Sequence, residues 1–418
     1  PALDTEQHQN QVGSSIIKIM PNKAAVVAWQ ALMASQDAAE TPQHEAILRS
    51  CCEYARGKVD EVFSGTKFED ECRTAIAKFP RLEKSELTMG RILRRGSFGV
   101  FTEVDGIRNG QMFHTREETG TDLVITENGN KKPARKNQSG HYTIKHLSTE
   151  IIADPAKLIQ SLMNLAVDVY FLSVLDHPNI IKVRAIGHGD MFDKESFIVL
   201  DKLYCNLDDM MAQWKRQCKI FCGIRGKIMD KSGSKKANFC RERLTVASDV
   251  CDVVSFLHGN SIIYRALKPE NFGIDFEGKV KLFDFGLARK LRMSNRLCDG
   301  TYLLTGKTGN MTYMAPEVHK CKPYNLSADV YSFAILCWEI LSVERPFEGF
   351  GTKLHTDLVV CKGYRPKCKS SWPKEVQETL KKSWSKNTAS RPKASDVGKV
   401  LQSWLVQGND KMNLKEWK

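Results

Sequence analysis

No run of about 18 apolar residues occurs in this 418-residue chain, so the sequence offers no membrane-spanning helix. The 13 cysteines are scattered and none falls into a C-x-x-C pair of zinc-site spacing. Cys51-Cys52 is a bare doublet and reads as two buried thiols rather than a bridge. An odd number of cysteines without a spacing pattern predicts a reducing compartment, cytoplasmic or nuclear. The first residues, Pro1-Ala2-Leu3-Asp4, carry neither Met nor a basic-then-apolar signal pattern, and the expectation is a trimmed or processed chain. Acidic residues are also few, 49 against 62 Lys and Arg, which leaves a net charge of +13. Much of the excess lies in Lys131-Lys132-Pro133-Ala134-Arg135-Lys136 and between Lys215 and Lys236. Such tracts either dock an acidic partner or are solvated loops. Neither shows the aromatic interleaving of a nucleic-acid interface, so nucleic acid is not the expected partner.

What is present is ample apolar material, 42% of residues, enough for two or three domains. Residues 1–15 are polar and expected to be disordered. From Lys23 to about Lys78 the texture is helical, with Thr41 as an N-cap and Pro42 in the first turn, and two or three helices are expected there. No catalytic constellation stands in that region. A strand pattern follows at Leu87–Leu93, then a glycine loop at Gly96-Ser97-Phe98-Gly99. An insertion at 106–140, with Asn109-Gly110 and Asn128-Gly129-Asn130 as turn signals, predicts an extra hairpin or a mobile loop. Next come a strand at His141–Lys145 and an amphipathic helix over Pro155–Leu175. A strand at Ser196–Leu200 leads to a Gly- and Lys-rich stretch, 215–240, that reads as an inserted loop before a helix over Arg241–His258.

Two segments carry the chemistry. Ile263-Tyr264-Arg265-Ala266-Leu267-Lys268-Pro269-Glu270-Asn271 precedes Lys281-Leu282-Phe283-Asp284-Phe285-Gly286. Together they resemble the catalytic loop and metal-binding segment of protein kinases, H-R-D-L-x-x-x-N and then D-F-G. Arg265, Leu267, Lys268, Asn271, Asp284, Phe285 and Gly286 match, whereas Ala266 stands where kinases carry the catalytic Asp. The stretch from Arg94 to Phe101 is similar to the kinase glycine-rich loop, with Arg94 at its first glycine and Phe101 at the Val that covers adenine. His141–Lys145 resembles the strand that ends in the phosphate-binding Lys. Tyr313-Met314-Ala315-Pro316-Glu317 resembles the end of an activation segment, and Ser327–Ala334 the buried helix whose Asp holds the catalytic loop. The resemblance runs in order over about 86–406 and is closest to the tyrosine-kinase-like branch, whose members mostly phosphorylate Ser and Thr. Lys268 also favours Ser/Thr over Tyr.

That resemblance implies an α+β, bilobal protein kinase fold. A small β-rich lobe with one helix would occupy 86–203 and a helical lobe 204–406, with a helical extension before them (1–85) and a tail after (407–418). It implies ATP and Mg²⁺, with Asp284 and Asn271 as the metal residues and Lys268 neutralising the phosphoryl group in flight. Gly96, Ser97, Phe98 and Gly99 would cover the phosphates, and Lys145 would hold them, paired with Asp168. Phe101, Thr143 and the gatekeeper Leu200 would shape the adenine pocket, with backbone groups of Asp201 and Leu203 bonding the base. Arg265 would meet a phosphate placed on Thr301, Tyr302, Thr305 or Thr308, and Arg391 would pair with Glu317. A methyl group at Ala266 cannot accept a proton, and general-base assistance is worth about 10²–10⁴-fold. Two accounts fit: an active kinase disabled by substitution, or a natural pseudokinase. Arg94, Phe101, Thr143, Asp168 and Asn310 are further departures that favour the second. The alternative function is a non-catalytic scaffold that docks acidic proteins through its basic insertions.

Overall fold

The computed structural model describes residues 42–63, 65–96, 98–108, 123–125, 131–133, 142–222 and 234–407. They form two compact units, one built from residues up to 175 together with 182–202, the other from 176–181 together with 203 onward. A sheet-rich first unit and a helical second unit agree with the α+β expectation.

The first unit begins with helices α1 (Pro42–Phe63) and α2 (Lys67–Ile76). Thr66 caps α2 by accepting from the Glu69 N–H at 3.1 Å, and Glu69 and Asp70 place negative charge at its N-terminus. The segments 1–15 and 23–41, with the Thr41 cap, lie outside the described residues. Short strand β1 (Arg81–Leu82) then leads into β2 (Leu87–Gly96) and β3 (Gly99–Ile107). Within the insertion, β4 (Leu123–Ile125) pairs antiparallel with β5 (Lys131–Pro133), a hairpin whose turn residues are outside the described set. Strand β6 (Tyr142–His146) and the short helix α3 (Thr149–Ile152) precede α4 (Pro155–Val174). Asp154 caps α4 from both the Ala156 and Lys157 N–H groups, with Pro155 in the first turn. Strands β7 (Val183–Gly187) and β8 (Phe197–Asp201) complete a six-stranded sheet ordered β1-β7-β8-β6-β3-β2. It is antiparallel except that β1 runs parallel to β7. Helix α4 is buried on nearly every face, not on one stripe as an amphipathic pattern suggests, because α1 and α2 cover the side that the sheet leaves open.

The second unit carries a small sheet of β9 (Cys205–Asn206), β11 (Phe272–Ile274) and β12 (Val280–Leu282), ordered β12-β11-β9. A second ladder pairs β10 (Ile262–Ile263) with β13 (Arg289–Lys290). The loop expected over 215–240 is corrected by helices from both sides, α5 (Leu207–Cys222) and α6 (Ser234–Gly259), and only 223–233 lies outside the described residues. The Lys and Gly content there suggested a loop, but buried Trp214 meets Phe239 edge-on at 6.4 Å, and this packing sustains both helices. After α7 (Pro316–His319) comes α8 (Ser327–Ser342), buried almost end to end and packed on α6. Helix α9 (Thr352–His355) passes into a π-helical turn (Thr356–Cys361), and α10 (Lys374–Ser383) and α11 (Ala394–Gln407) close the unit. The tail beyond 407 lies outside the described residues.

Candidate active site

In the first unit, β2 and β3 meet in register at Gly96 and Gly99, so the glycine stretch is the turn of a hairpin. Ser97 lies outside the described residues, and Phe98 is half-buried. A Cβ on Gly99 would sit 3.2 Å from the His146 carbonyl and 3.5 Å from the Lys145 stem, a close approach that explains glycine there. Strand pairing sets Phe101 opposite Lys145, whose Nζ lies 5.7 Å from the ring centre. Lys145 is buried at 3% exposure, with Nζ 2.6 Å from Asp168 Oδ2 and 2.7 Å from Asn164 Oδ1. Asn164 and Asp168 are one helical turn apart on α4, so a single face carries both acceptors. Sequence reading missed Asn164. The signal was available: a polar side chain four residues before Asp168 on a helix otherwise lined with Leu, Val and Ala.

Thr143 is buried on β6 between Glu103 and Leu200, and Leu200 is buried on β8. The Asp201 carboxylate takes a bidentate pair with Arg184, Nε at 2.6 Å and Nη2 at 3.0 Å. Its N–H donates to the Lys182 carbonyl at 3.3 Å, so that donor is already taken. Leu203 belongs to the second unit, where it lies flush on Gly273 of β11 and leaves no room for a Cβ.

The second unit assembles the catalytic-loop segment around Asp329 of α8. The Tyr264 and Arg265 N–H groups donate to its two oxygens at 2.7 and 2.8 Å. That grip sustains Arg265 at φ 65°, a left-handed conformation that is costly for a side chain of this size. Asp284 takes the same conformation, φ 65°. The Tyr264 hydroxyl lies 2.6 Å from the Phe283 carbonyl and 3.0 Å from that of Asp284. Its ring meets Phe285 edge-on at 5.4 Å. Tyr in place of His therefore ties the loop to the metal segment.

The Asn271 amide donates to the Ala266 carbonyl at 2.9 Å, which fixes the amide and leaves its oxygen as the cation-binding end. The Asn271 carbonyl accepts from the Phe283 N–H, which sets Asp284 beside it. Among the described residues no group of three or more His, Cys, Asp or Glu could cage a metal. One carboxylate and one amide oxygen nonetheless fit Mg²⁺, which fills its remaining positions with phosphate oxygens and water. The Ala266 methyl is buried, and Lys268 is half-buried at the head of the turn that presents Asn271.

Arg265 reaches away from this loop, donating to the Leu287 carbonyl at 2.7 Å and to the Thr305 hydroxyl at 2.9 Å. Of the four hydroxyl residues singled out in that segment, Thr305 is the one it touches. Arg289 is half-buried near Arg265; loss of solvation first, and then the neighbouring guanidinium, push its pKa down to about 9. Glu317 and Arg391 form a bidentate pair at 2.6 and 2.9 Å.

A hairpin turn of glycines beside a buried Lys–carboxylate pair in the first unit, and an Asn and an Asp in a loop held by a buried helix in the second, are the elements of a protein kinase domain. The chain belongs to the protein tyrosine and serine/threonine kinase family, whose model matches residues 125–401, well over half of its length. It is 37% identical over 188 residues to the serine/threonine-protein kinase STY17 of Arabidopsis thaliana, which covers 44% of the chain and 32% of that protein. With the serine/threonine/tyrosine-protein kinase HT1 of the same plant it shares 28% identity over 305 residues, 69% of each. The dual specificity protein kinase shkB of Dictyostelium discoideum is 30% identical over 176 residues, 40% of the chain and 26% of shkB. The match thus spans about a third of the first of these relatives.

Proposed function

We propose that this chain binds Mg²⁺-ATP and is built to transfer the γ-phosphate to Ser or Thr of a protein, at a rate cut heavily by Ala266. The buried Lys145–Asp168 pair carries the proposal, since a lysine held at 3% exposure has a positional role. The residues that would hold the group are Lys145, Asn271 and Asp284, with Lys268 beside the transferred phosphate. When bound, Mg²⁺ supplies charge neutralisation at the phosphate oxygens. No side chain at position 266 orients the attacking hydroxyl, so orientation falls to the rest of the loop.

The test is calorimetric titration with Mg²⁺-ATP, with a Ser/Thr peptide phosphorylation assay beside it, on the chain as it stands and on Ala266→Asp. Nucleotide binding by both with a rise of about 10²–10⁴-fold in turnover for the Asp form supports the proposal. Absence of binding in both favours the second reading, a scaffold that docks acidic proteins, for which the +13 charge is the supporting observation. A reducing site of action, cytoplasmic or nuclear, is part of the same proposal and rests on free thiols such as Cys51 and Cys337.

A further inference from the structure

Asp168 stands on α4, and Tyr170 projects from the same helix roughly 200° further round. On that far side Phe63, the last residue of α1, stacks on Tyr170 with ring centres 4.7 Å apart and planes 23° apart. Phe63 also meets Phe171 edge-on at 5.6 Å, and Phe68 of α2 lies 5.5 Å from Phe171 and 6.1 Å from Phe63. The Cys72 thiol, fully buried on α2, donates to the Tyr170 carbonyl at 3.2 Å. Further along, Arg56 of α1 pairs with Asp190 and lies over the Phe192 ring at 5.0 Å. The exit from α2 is then pinned by β1, added parallel to β7. The extension is thus attached to α4, to the loop between β7 and β8, and to the sheet edge.

We propose that α1 and α2 are a positioning device for Asp168. The four-ring cluster of Phe63, Phe68, Tyr170 and Phe171 sets where α4 lies, and α4 sets whether Asp168 reaches Lys145. A 2.6 Å contact is lost when the helix moves by about 1 Å, so loosening the rings on one face undoes the ion pair on the other. Coupling of this kind is reciprocal: a ligand that favours the Lys145–Asp168 contact must hold α2 down by the same factor. This inference rests on the nucleotide reading of Lys145.

The experiment uses the full chain, with the alkylation rate of Cys72, read by mass spectrometry, as a reporter of α2 docking. Phe63→Ala and Phe68→Ala are expected to speed Cys72 alkylation and to weaken Mg²⁺-ATP binding on the order of tenfold. Phe63→Tyr, which keeps the ring, restores affinity. Val104→Ala, in the sheet core, is the reference for general loss of stability and leaves affinity near the parent value. Mg²⁺-ATP slows Cys72 alkylation in the parent. Ring variants that expose Cys72 yet bind nucleotide normally overturn the proposal, as does nucleotide binding without protection of Cys72. If the parent binds no nucleotide, the reading of Lys145 fails, and a nucleotide-free comparison decides the coupling. Asp168→Asn must then speed Cys72 alkylation beyond Val104→Ala; equal rates overturn the proposal.

Discussion

Lys145 is charged and nearly inaccessible, and its environment must cancel the cost of removing an ammonium group from water. Asp168 supplies the opposite charge and Asn164 a second acceptor, which is the arrangement a buried ion pair requires. Asp168→Ala leaves the ammonium uncompensated and is expected to lower unfolding free energy by about 3–5 kcal/mol in a denaturant titration. Asp168→Glu, the residue usual in kinases, adds a methylene between packed elements and should cost less. The same logic applies to Arg391, whose side chain is fully buried against Glu317. Arg391→Lys keeps charge but loses the fork, and a loss of about 2 kcal/mol or more is expected from the same titration. Ala266 needs no structure to be read as a position without acid–base chemistry, because a methyl group has none in any setting. The left-handed backbone at Arg265 and Asp284 was not legible, since nothing in either side chain announces it. At Arg265 its cause is Asp329, 64 positions downstream, which takes that residue's N–H, and at Asp284 the Tyr264 hydroxyl, 20 positions upstream, holds the carbonyl.

At the level of elements, periodicity located the strands and α4 but misjudged helix lengths wherever polar residues hid an anchored face. Helices α5 and α6 both extend into a Lys-rich stretch because Trp214 and Phe239 are buried against each other. The π-helical turn after α9 was likewise invisible. It follows His355, which is 2% exposed and finds no hydrogen-bond partner for either ring nitrogen among the described residues. Burial, then His319 and Arg365, push this imidazole down from 6.5 to about 4. The unfolded chain takes up a proton below pH 6.5 that the folded chain refuses, so stability is lost as pH falls from 6.5 toward 4. Glu339 on α8 works in the opposite sense: burial, opposed by the Tyr313 hydroxyl and Arg345, raises its carboxyl from 4.5 to about 7. Its contribution is whole below pH 4.5 and fades as pH rises to about 7. The two windows overlap between about 4.5 and 6.5, where the opposed slopes offset each other in the thermal midpoint. His355→Leu is therefore expected to unmask a midpoint that falls as pH rises through that range, and Glu339→Gln one that rises.

For the whole molecule, the order of motifs was enough to place the α+β architecture, because the glycine hairpin, the lysine strand, the catalytic loop and the buried helix occur in one sequence of segments. What the sequence left open was the helical extension, since no chemistry-bearing residue marks it and its apolar face could serve any neighbour. Within the first unit it is part of the same packed body as the sheet.

Strand β1 has a practical consequence for solubility. Trimming the chain to the motif boundary, at about residue 86, would delete Arg81 and Leu82 and strip the parallel partner from β7. The edge at the other side of the sheet is β2, which is guarded by the charged side chains Arg91, Arg94 and Arg95, the first and last of them paired with Glu103 and Glu150. The uncovered β7 edge, Val183-Arg184-Ala185-Ile186-Gly187, has one charge, and that is already paired with Asp201. A chain beginning at Glu86 is expected to elute as oligomers in size-exclusion chromatography, whereas one beginning at Pro42 elutes as a single smaller species. The two residues that look most like a spacer would then be what keeps one copy of the sheet from extending into the next.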